Sequence, residues 1–267
     1  MLRDPLGEKI ASPTGIALGA WTSDPDMIEL LAYMGFDWVM LDLMFTGIDW
    51  GRVELLIRTA EAAGITPAVR LQAFPWLGHD PRLPRDLSRV SGIGAKYVRM
   101  SISSLEELKE CASVARDWHK KPMHLYKFRD AQQKPASAPH LDERTCLWPL
   151  AETAEMVDAY REIIATPEVR IFGFGMGDAS MALAKSDKPD FHHPLLWQRI
   201  DDAVACAKEH GKVIGANTSY APDLKEMHKR ATKIADHGVR VIMLQGTAFL
   251  FQISIAPFLR DLRDEFR

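Results

Sequence analysis

The chain has 267 residues, of which 47% are hydrophobic and 26% charged, which is typical of a globular protein with a sizeable core. Its formal net charge of −3 gives no electrostatic reason to expect binding to nucleic acid or to an anionic membrane. No apolar run approaches the roughly 20 residues of a membrane-spanning helix, no signal peptide is apparent, and three scattered cysteines favour free thiols in a cytoplasmic protein.

Short runs rich in Val, Ile, Leu and Met alternate along the chain with longer segments of helical periodicity. Strands are predicted at 15–20, 37–42, 66–70, 96–100, 146–151, 170–174, 212–216 and 239–244. Helices are predicted at 24–34, 51–63, 104–118, 152–165, 194–210, 222–237 and 247–266. Eight strand–helix units predict an α/β fold, a (β/α)8 TIM barrel that forms a single domain over 1–267, although periodicity alone also allows an open, doubly wound sheet.

Two polar segments interrupt this alternation. Residues 119–145 contain three prolines and are predicted to form a long functional loop, because strands continue on both sides. Residues 178–194 are rich in Asp, Lys and His and form a second excursion.

Residues at the carboxyl-terminal ends of barrel strands are the candidates for chemistry. This rule selects Asp42, Arg70, Arg99, Glu152, Asp178 and Asn217. Carboxylates beside a cation fit a Mg²⁺ or Mn²⁺ site that binds an anionic substrate, and the glycine-rich turn GFGMGDAS offers free backbone amides. Simpler structural interpretations remain open: Glu152 and Asp178 as helix caps, Arg70 as an ion-pair partner, and Asp42 as a loop cap.

Five segments occur in an order that points to one family: GAWTSDPDMIELLAYMGFDWVMLDLMFTGID, PAVR, GIGAKYVRMSISSLEEL, WPLAETAEMVDA and GFGMGDASMALA. In this order the chain resembles the HpcH/HpaI family of class II 2-oxo acid aldolases over most of its length. The resemblance implies a barrel of the phosphoenolpyruvate/pyruvate-domain type. It also implies metal-dependent cleavage or formation of a carbon–carbon bond next to a pyruvate-type enolate, with a 2-oxo acid and an aldehyde as partners.

The resemblance also implies a role for each matching residue. Glu152 and Asp178 match the two ligands of Mg²⁺, Mn²⁺ or another divalent cation, and Arg70 matches the arginine that steadies the enolate oxygen. Asp42 matches the acidic residue that closes the second strand. Backbone amides of Gly177, Asp178 and Ala179 match the turn that receives the substrate carboxylate, and Trp21 and Phe45 are expected to contact substrate.

The family resemblance further implies a homotrimer or homohexamer in which the helix at 247–266 packs on a neighbouring protomer. The alternative is an eighth helix that packs on its own barrel.

Two polar groups expected from the resemblance are missing. Leu43-Met44-Phe45 stands where the family has Gly-Glu-His, so Phe45 replaces the histidine assigned to acid/base work, and Gly92 replaces a carboxylate that reaches a neighbouring subunit. Phenylalanine cannot transfer a proton. Candidate replacement bases lie in the two polar segments, where each can equally be a solvated loop residue: His124, Tyr126, Lys127, His192 and His193.

Three functions follow from this departure. The chain is interpreted as an aldehyde lyase whose base comes from elsewhere. Alternatively, the same site serves decarboxylation or another carbon–carbon cleavage, and an apolar rim of Leu43, Met44, Phe45, Phe74 and Trp76 suits an aromatic substrate, as in aromatic compound catabolism. The third hypothesis is a non-catalytic 2-oxo acid binder. A Schiff-base aldolase is disfavoured because Lys96 and Lys212 lie at strand starts.

Overall fold

The computed structural model describes residues 3–118 and 145–266. Eight parallel strands close into a barrel in which each strand pairs with the next and the last pairs with the first. The strands are β1 Ala17–Trp21, β2 Trp38–Asp42, β3 Thr66–Arg70, β4 Tyr97–Ser101, β5 Cys146–Ala151, β6 Ile171–Phe174, β7 Val213–Asn217 and β8 Val241–Gly246. All eight predicted strands are confirmed to within two residues at either end, and the closure excludes the open sheet.

Helices follow the strands around the outside of the barrel. They are α1 Pro5–Ala11, α2 Pro25–Tyr33, α3 Trp50–Ala63, α4 Leu83–Gly92, α5 Leu105–Trp118, α6 Ala154–Asp158, α7 Tyr160–Ala165, α8 Met176–Ala184, α9 Pro194–Glu209, α10 Leu224–Asp236 and α11 Thr247–Glu265, with a 3-10 turn at Pro75–Leu77. The sequence did not predict α1, the 3-10 turn or α4, and it indicated a helix start near Asp178 without giving the bounds of α8. The helix predicted at 152–165 is divided at Ala159, and α8 occupies the start of the excursion predicted at 178–194.

The barrel interior is filled by large side chains that lie against glycines. Trp38 and Trp148 meet at its centre with ring centroids 5.0 Å apart. A Cβ atom at Gly19 would fall 2.2 Å from Trp38 Cε2, and one at Gly215 would fall 2.9 Å from Trp148 Cζ2. Because only glycine leaves room for the indoles, the interior is a packed core that supports the strand ends above it.

The amino-terminal end of the barrel is closed by α1 and held by Asp4. The Asp4 carboxylate accepts hydrogen bonds from the Gly7 amide at 2.9 Å, from Thr66 Oγ1 at 2.9 Å and from Tyr97 Oη at 3.1 Å, and it pairs with Lys96. This position confirms that Lys96 lies on the face opposite the strand ends.

Asp4→Ala is expected to lower the free energy of unfolding by about 2 kcal/mol, because it removes a helix cap together with hydrogen bonds to two other elements. Urea denaturation followed by circular dichroism measures this loss. Asp4→Asn keeps a capping oxygen and is expected to lose less. Equal stability of Asp4→Ala and the wild type would contradict a closing role for this carboxylate.

No helix among the described residues is long and apolar enough to cross a membrane. Helix α11 buries Ile253 against Ala221 and Met227, while Phe251 and Phe258 on the same helix are exposed. The packing of 247–266 on a neighbouring protomer stays a prediction. The single-domain organisation over 1–267 also stays a prediction, and 119–144 lies outside the described residues.

Candidate active site

Asp42 and Arg70 form the centre of the candidate site at the carboxyl-terminal ends of β2 and β3. The two residues are partners in the strand pairing, and Arg70 Nη1 lies 3.7 Å from Asp42 Oδ2. Asp42 Oδ1 accepts hydrogen bonds from the amides of Met44 at 2.8 Å and Phe45 at 3.4 Å. Asp42 therefore both caps the following loop and holds Arg70, so the two interpretations of this residue are compatible.

The guanidinium of Arg70 joins three parts of the site. Its Nη2 lies 3.8 Å from Glu152 Oε1 and 2.8 Å from Met44 Sδ, and its Cζ lies 4.7 Å from the centre of the Phe45 ring. Met44 is buried in this contact, so it packs against Arg70 and presents little apolar surface at the rim. The sequence could not show this contact, because it depends on how the loop after β2 folds back.

Glu152 follows β5 and is buried, with 7% of its surface exposed. Its Oε2 has no hydrogen-bond partner within residues 3–118 and 145–266. Burial raises the pKa of Glu152, while Arg70 and the neighbouring hydroxyl of Ser101 act in the opposite direction. A Cβ at Gly175 would lie 3.0 Å from Glu152 Cγ, so glycine is needed there for the end of β6 to pass this side chain.

Asp178 lies in the first turn of α8, and Gly175 is the N-cap residue of that helix. Its side chain is exposed at the barrel mouth, yet the surrounding protein limits its hydration and raises its pKa, against the effect of Arg70. The Ala179 amide already donates to the Gly175 carbonyl oxygen at 2.8 Å. Of the three residues matched to a carboxylate-binding turn, Gly177 and Asp178 are thus the better placed to offer an amide to a ligand.

Arg99 is a second cation at this end of the barrel and pairs with Arg70 across β3 and β4. Burial lowers the pKa of Arg99 to about 9, with Arg70 adding to the shift and Glu152, Asp42 and Asp178 opposing it. Arg99 was selected from the sequence because it lies at the end of a strand. The resemblance of the chain to the aldolase family implied no role for it.

The two aromatic residues expected to contact substrate lie at the end of β1 and in the loop after the adjacent strand β2. The exposed ring of Phe45 stacks on Arg70, whereas Trp21 at the end of β1 is partly buried. The Trp21 indole covers the end of β8, where a Cβ at Gly246 would fall 2.3 Å from Trp21 Cε2. Phe45 therefore borders the charged groups directly, and Trp21 lies beside the ends of β1 and β8.

The candidate bases are only partly described. His124, Tyr126 and Lys127 lie outside the described residues. The exposed His192 ring packs against Phe191 with centroids 5.6 Å apart, and His193 is the N-cap residue of α9.

His79 was not among the residues selected from the sequence. It lies in the loop after β3, with Nε2 3.6 Å from Glu110 Oε2 and Nδ1 4.0 Å from Glu107 Oε1. Its position in a loop that follows a strand could have marked it as a candidate in the sequence.

The carboxylates fit a divalent cation by their chemistry. No group of three or more His, Cys, Asp or Glu side chains suited to a metal occurs in the described part of the chain, so two carboxylates would have to be completed by water and substrate oxygens. The buried Glu152 Oε2, to which no described residue donates, is an oxygen that such a cation would satisfy. Hard oxygen ligands of this kind suit Mg²⁺ or Mn²⁺.

Known proteins similar to this chain include aldolases. The sequence profile of the family described as HpcH/HpaI aldolase/citrate lyase matches residues 18–245. A 2-dehydro-3,6-dideoxy-6-sulfogluconate aldolase from Pseudomonas putida is 26% identical over 208 residues, which cover 74% of this chain and 76% of that protein. A hydroxypyruvate/pyruvate aldolase from Roseovarius nubinhibens is 24% identical over 252 residues, or 87% of this chain and 90% of that protein.

Solved structures share the fold at low sequence identity. The citrate synthase SbnG superposes with a TM-score of 0.74 and 20% identity, covering 99% of both chains. The protein CitE from Mycobacterium tuberculosis, solved in complex with magnesium and acetate, has a TM-score of 0.52 and 17% identity, covering 94% of this chain and 97% of that one. These likenesses support the barrel architecture alone.

Proposed function

The chain belongs to the HpcH/HpaI aldolase/citrate lyase family and is a carbon–carbon lyase, and on that premise we propose that it is a divalent-metal-dependent aldolase acting next to the enolate of a pyruvate-type 2-oxo acid. The observation that carries the proposal is the placement of Arg70 within 3.8 Å of both Asp42 and Glu152 at the ends of three strands. The names of the two aldolase relatives support the reaction class, and one of them names pyruvate.

Glu152 and Asp178 are the residues that would hold the cation in this proposal. When bound, Mg²⁺ or Mn²⁺ supplies Lewis-acid polarisation of the 2-oxo acid's ketone. The remaining sites around it would be taken by water and by the ligand, since two carboxylates cannot fill an octahedral shell.

The chain's own residues then have separate tasks. Arg70 places a positive charge opposite the enolate oxygen that develops as the carbon–carbon bond breaks. Asp42 orders Arg70 and the loop through both of its carboxylate oxygens. Amides in the first turn of α8, those of Gly177 and Asp178, receive the substrate carboxylate at the positive end of the helix dipole.

The aldehyde partner is proposed to be bulky or aromatic. Phe45 and Trp76 are exposed at the strand-end face, and the rings of Phe74 and Trp76 meet edge to face with centroids 5.5 Å apart. Because aromatic surface beside a charged site favours an apolar substituent on the ligand, the rim supports this choice. Leu43, also expected at the rim, packs instead against the core beneath it.

Retro-aldol cleavage moves two protons. The substrate hydroxyl loses its proton as the carbon–carbon bond breaks to give the aldehyde, and the enolate carbon takes up a proton to give the 2-oxo acid. Phe45 can do neither, so a group other than this side chain serves as proton acceptor in the proposed reaction.

Incubation of the protein with pyruvate in D₂O, Mg²⁺ or Mn²⁺, and a panel of aliphatic and aromatic aldehydes tests the proposal. We expect metal-dependent exchange of the pyruvate methyl protons and an aldol product with at least one aldehyde, both followed by ¹H NMR. Failure to bind metal and pyruvate would show the site assignment to be wrong. Binding without exchange or turnover would favour a non-catalytic binder.

Phe45→His is expected to raise the rate of pyruvate proton exchange roughly 10-fold or more, because it places a general acid/base next to Arg70. Phe45 is 66% exposed, so the smaller imidazole can be accommodated without disturbing the core. Exchange rates at matched pyruvate and metal concentrations measure the effect. Phe45→Leu is the control, and an equal gain in both variants would trace the change to lost bulk rather than to the imidazole.

We also propose that the protein is a homotrimer or homohexamer in which α11 packs on a neighbouring protomer. The exposed Phe251, Phe258 and Leu259 on this helix support the proposal, because apolar surface of this kind is characteristic of subunit contacts.

A further inference from the structure

Arg99 is a buried cation to which the described part of the barrel provides no ion pair. The residue is 4% exposed, and its Nε has no hydrogen-bond partner among the described residues. Within the same ranges, no carboxylate lies within 4.0 Å of its guanidinium. Its Nη1 donates to Met243 Sδ at 3.6 Å, and its Cζ lies 5.6 Å from the Trp148 ring centre.

Folding alone gives no reason to retain this arginine. Removing a guanidinium from water is costly unless a counter-charge and hydrogen bonds replace the lost hydration. A thioether and a distant indole face replace little of it. In addition, Arg99 pairs in register with Arg70 on the adjacent strand, which places two like charges side by side. Such an arrangement indicates a ligand that supplies the missing negative charge.

The charges at this end of the barrel can be counted directly. Three carboxylates, from Asp42, Glu152 and Asp178, stand with the two guanidiniums of Arg70 and Arg99, and the other four groups all act electrostatically on Arg99. Arg70 is already engaged with Asp42 and Glu152. Arg99 is thus the cation whose charge is available to an incoming anion.

We propose that Arg99 is the second cation of the anion-binding site, which draws an anionic 2-oxo acid into the barrel mouth and weakens the binding of a bare cation. This inference rests on the proposed function and adds Arg99 to the residues that bind the substrate. A purely structural role for Arg99 would not produce the following result. Removing the Arg99 charge changes the affinities for an anion and for a cation in opposite directions.

The test compares Arg99→Met, Arg99→Gln and Arg99→Lys in the full chain. Methionine suits the apolar contacts with Trp148 and Met243, glutamine is a second neutral variant, and lysine keeps the charge. Calorimetry measures the Kd for Mn²⁺ alone and, at saturating Mg²⁺, the Kd for oxalate, a dianionic mimic of the pyruvate enolate. Arg89→Met is the matched control. Arg89 lies on the outer helix α4, and like Arg99 it faces a tryptophan ring, with its Cζ 4.5 Å from the ring centre of Trp50.

In both neutral variants, we expect oxalate affinity to fall roughly 10-fold or more and Mn²⁺ affinity to rise several-fold, given one unit charge in a partly buried site. Arg99→Lys and Arg89→Met are expected to stay near the wild type for both ligands. If the neutral variants bind oxalate and Mn²⁺ as the wild type does, or if their affinities for both ligands fall together, the inference is wrong. Either result would leave the proposed function intact. If the wild type binds neither Mn²⁺ nor oxalate, the proposed function is wrong and the inference falls with it.

Discussion

Glu152→Gln is expected to lower the affinity for Mn²⁺ by at least about 100-fold and to abolish metal-dependent exchange of the pyruvate methyl protons. Glutamine keeps the shape that packs against Gly175 but loses the charge that a hard divalent cation requires. It also replaces one carboxylate oxygen, and Glu152 Oε2 is the atom that lacks a donor in the described part of the chain. Calorimetry with Mn²⁺ and ¹H NMR in D₂O measure the two effects.

The matched control is Glu168→Gln. Glu168 is also buried, but it lies before β6 at the amino-terminal end of the barrel, where Oε1 accepts from Arg116 Nε at 2.7 Å. We expect this variant to lose stability and to keep Mn²⁺ binding. Wild-type Mn²⁺ affinity in Glu152→Gln would remove Glu152 from the metal site, whatever happened to turnover.

The strands and their order could be predicted because a parallel barrel repeats one simple pattern. Each buried strand is a short β-branched or aliphatic run, and the amphipathic helices after it mark the boundaries. The strand-end rule then brought Asp42 and Arg70 together correctly, since adjacent parallel strands in register end side by side. Closure itself needed the structure, because an open sheet shows the same local pattern.

Helix α8 illustrates what local pattern could not reveal. Its first turn contains Met176, Gly177 and Asp178, and glycine is a poor helix former, so the segment reads as a turn. The helix forms there because it follows β6 directly and packs on its neighbours. This matters for the proposed function, since the amides proposed to receive the substrate carboxylate lie in the first turn of this helix.

The contacts of Arg70 and Arg99 also lay beyond the sequence. Two arginines at strand ends look equivalent in a sequence, yet one meets Asp42 and Glu152 while the other faces Met243 and Trp148. Because the two residues are partners in the strand pairing, the difference lies in the side chains that surround each guanidinium. The proton acceptor could not be identified from the sequence for the same reason. Phe45 shows which side chain cannot transfer a proton, but the group that does so depends on the tertiary structure.

Arg70→Lys is expected to lower kcat for pyruvate proton exchange and for aldol cleavage by roughly 10²–10³-fold. Lysine keeps the positive charge, so Asp42 and Glu152 do not become unpaired buried carboxylates and the barrel stays folded. A single ammonium cannot span both carboxylates and the enolate oxygen as the planar guanidinium does. The loss should therefore fall on the charge that develops during bond breaking.

Two measurements separate this effect from that of Glu152→Gln. Mn²⁺ affinity is expected to stay near the wild-type value in Arg70→Lys, because both proposed ligands and the total charge are preserved. Loss of a transition-state interaction lowers kcat and kcat/KM together, whereas loss of uniform ligand binding raises KM and leaves kcat unchanged. A rise in KM at constant kcat would make Arg70 a binding residue for the 2-oxo acid, and enolate stabilisation would then have to come from the metal and Arg99.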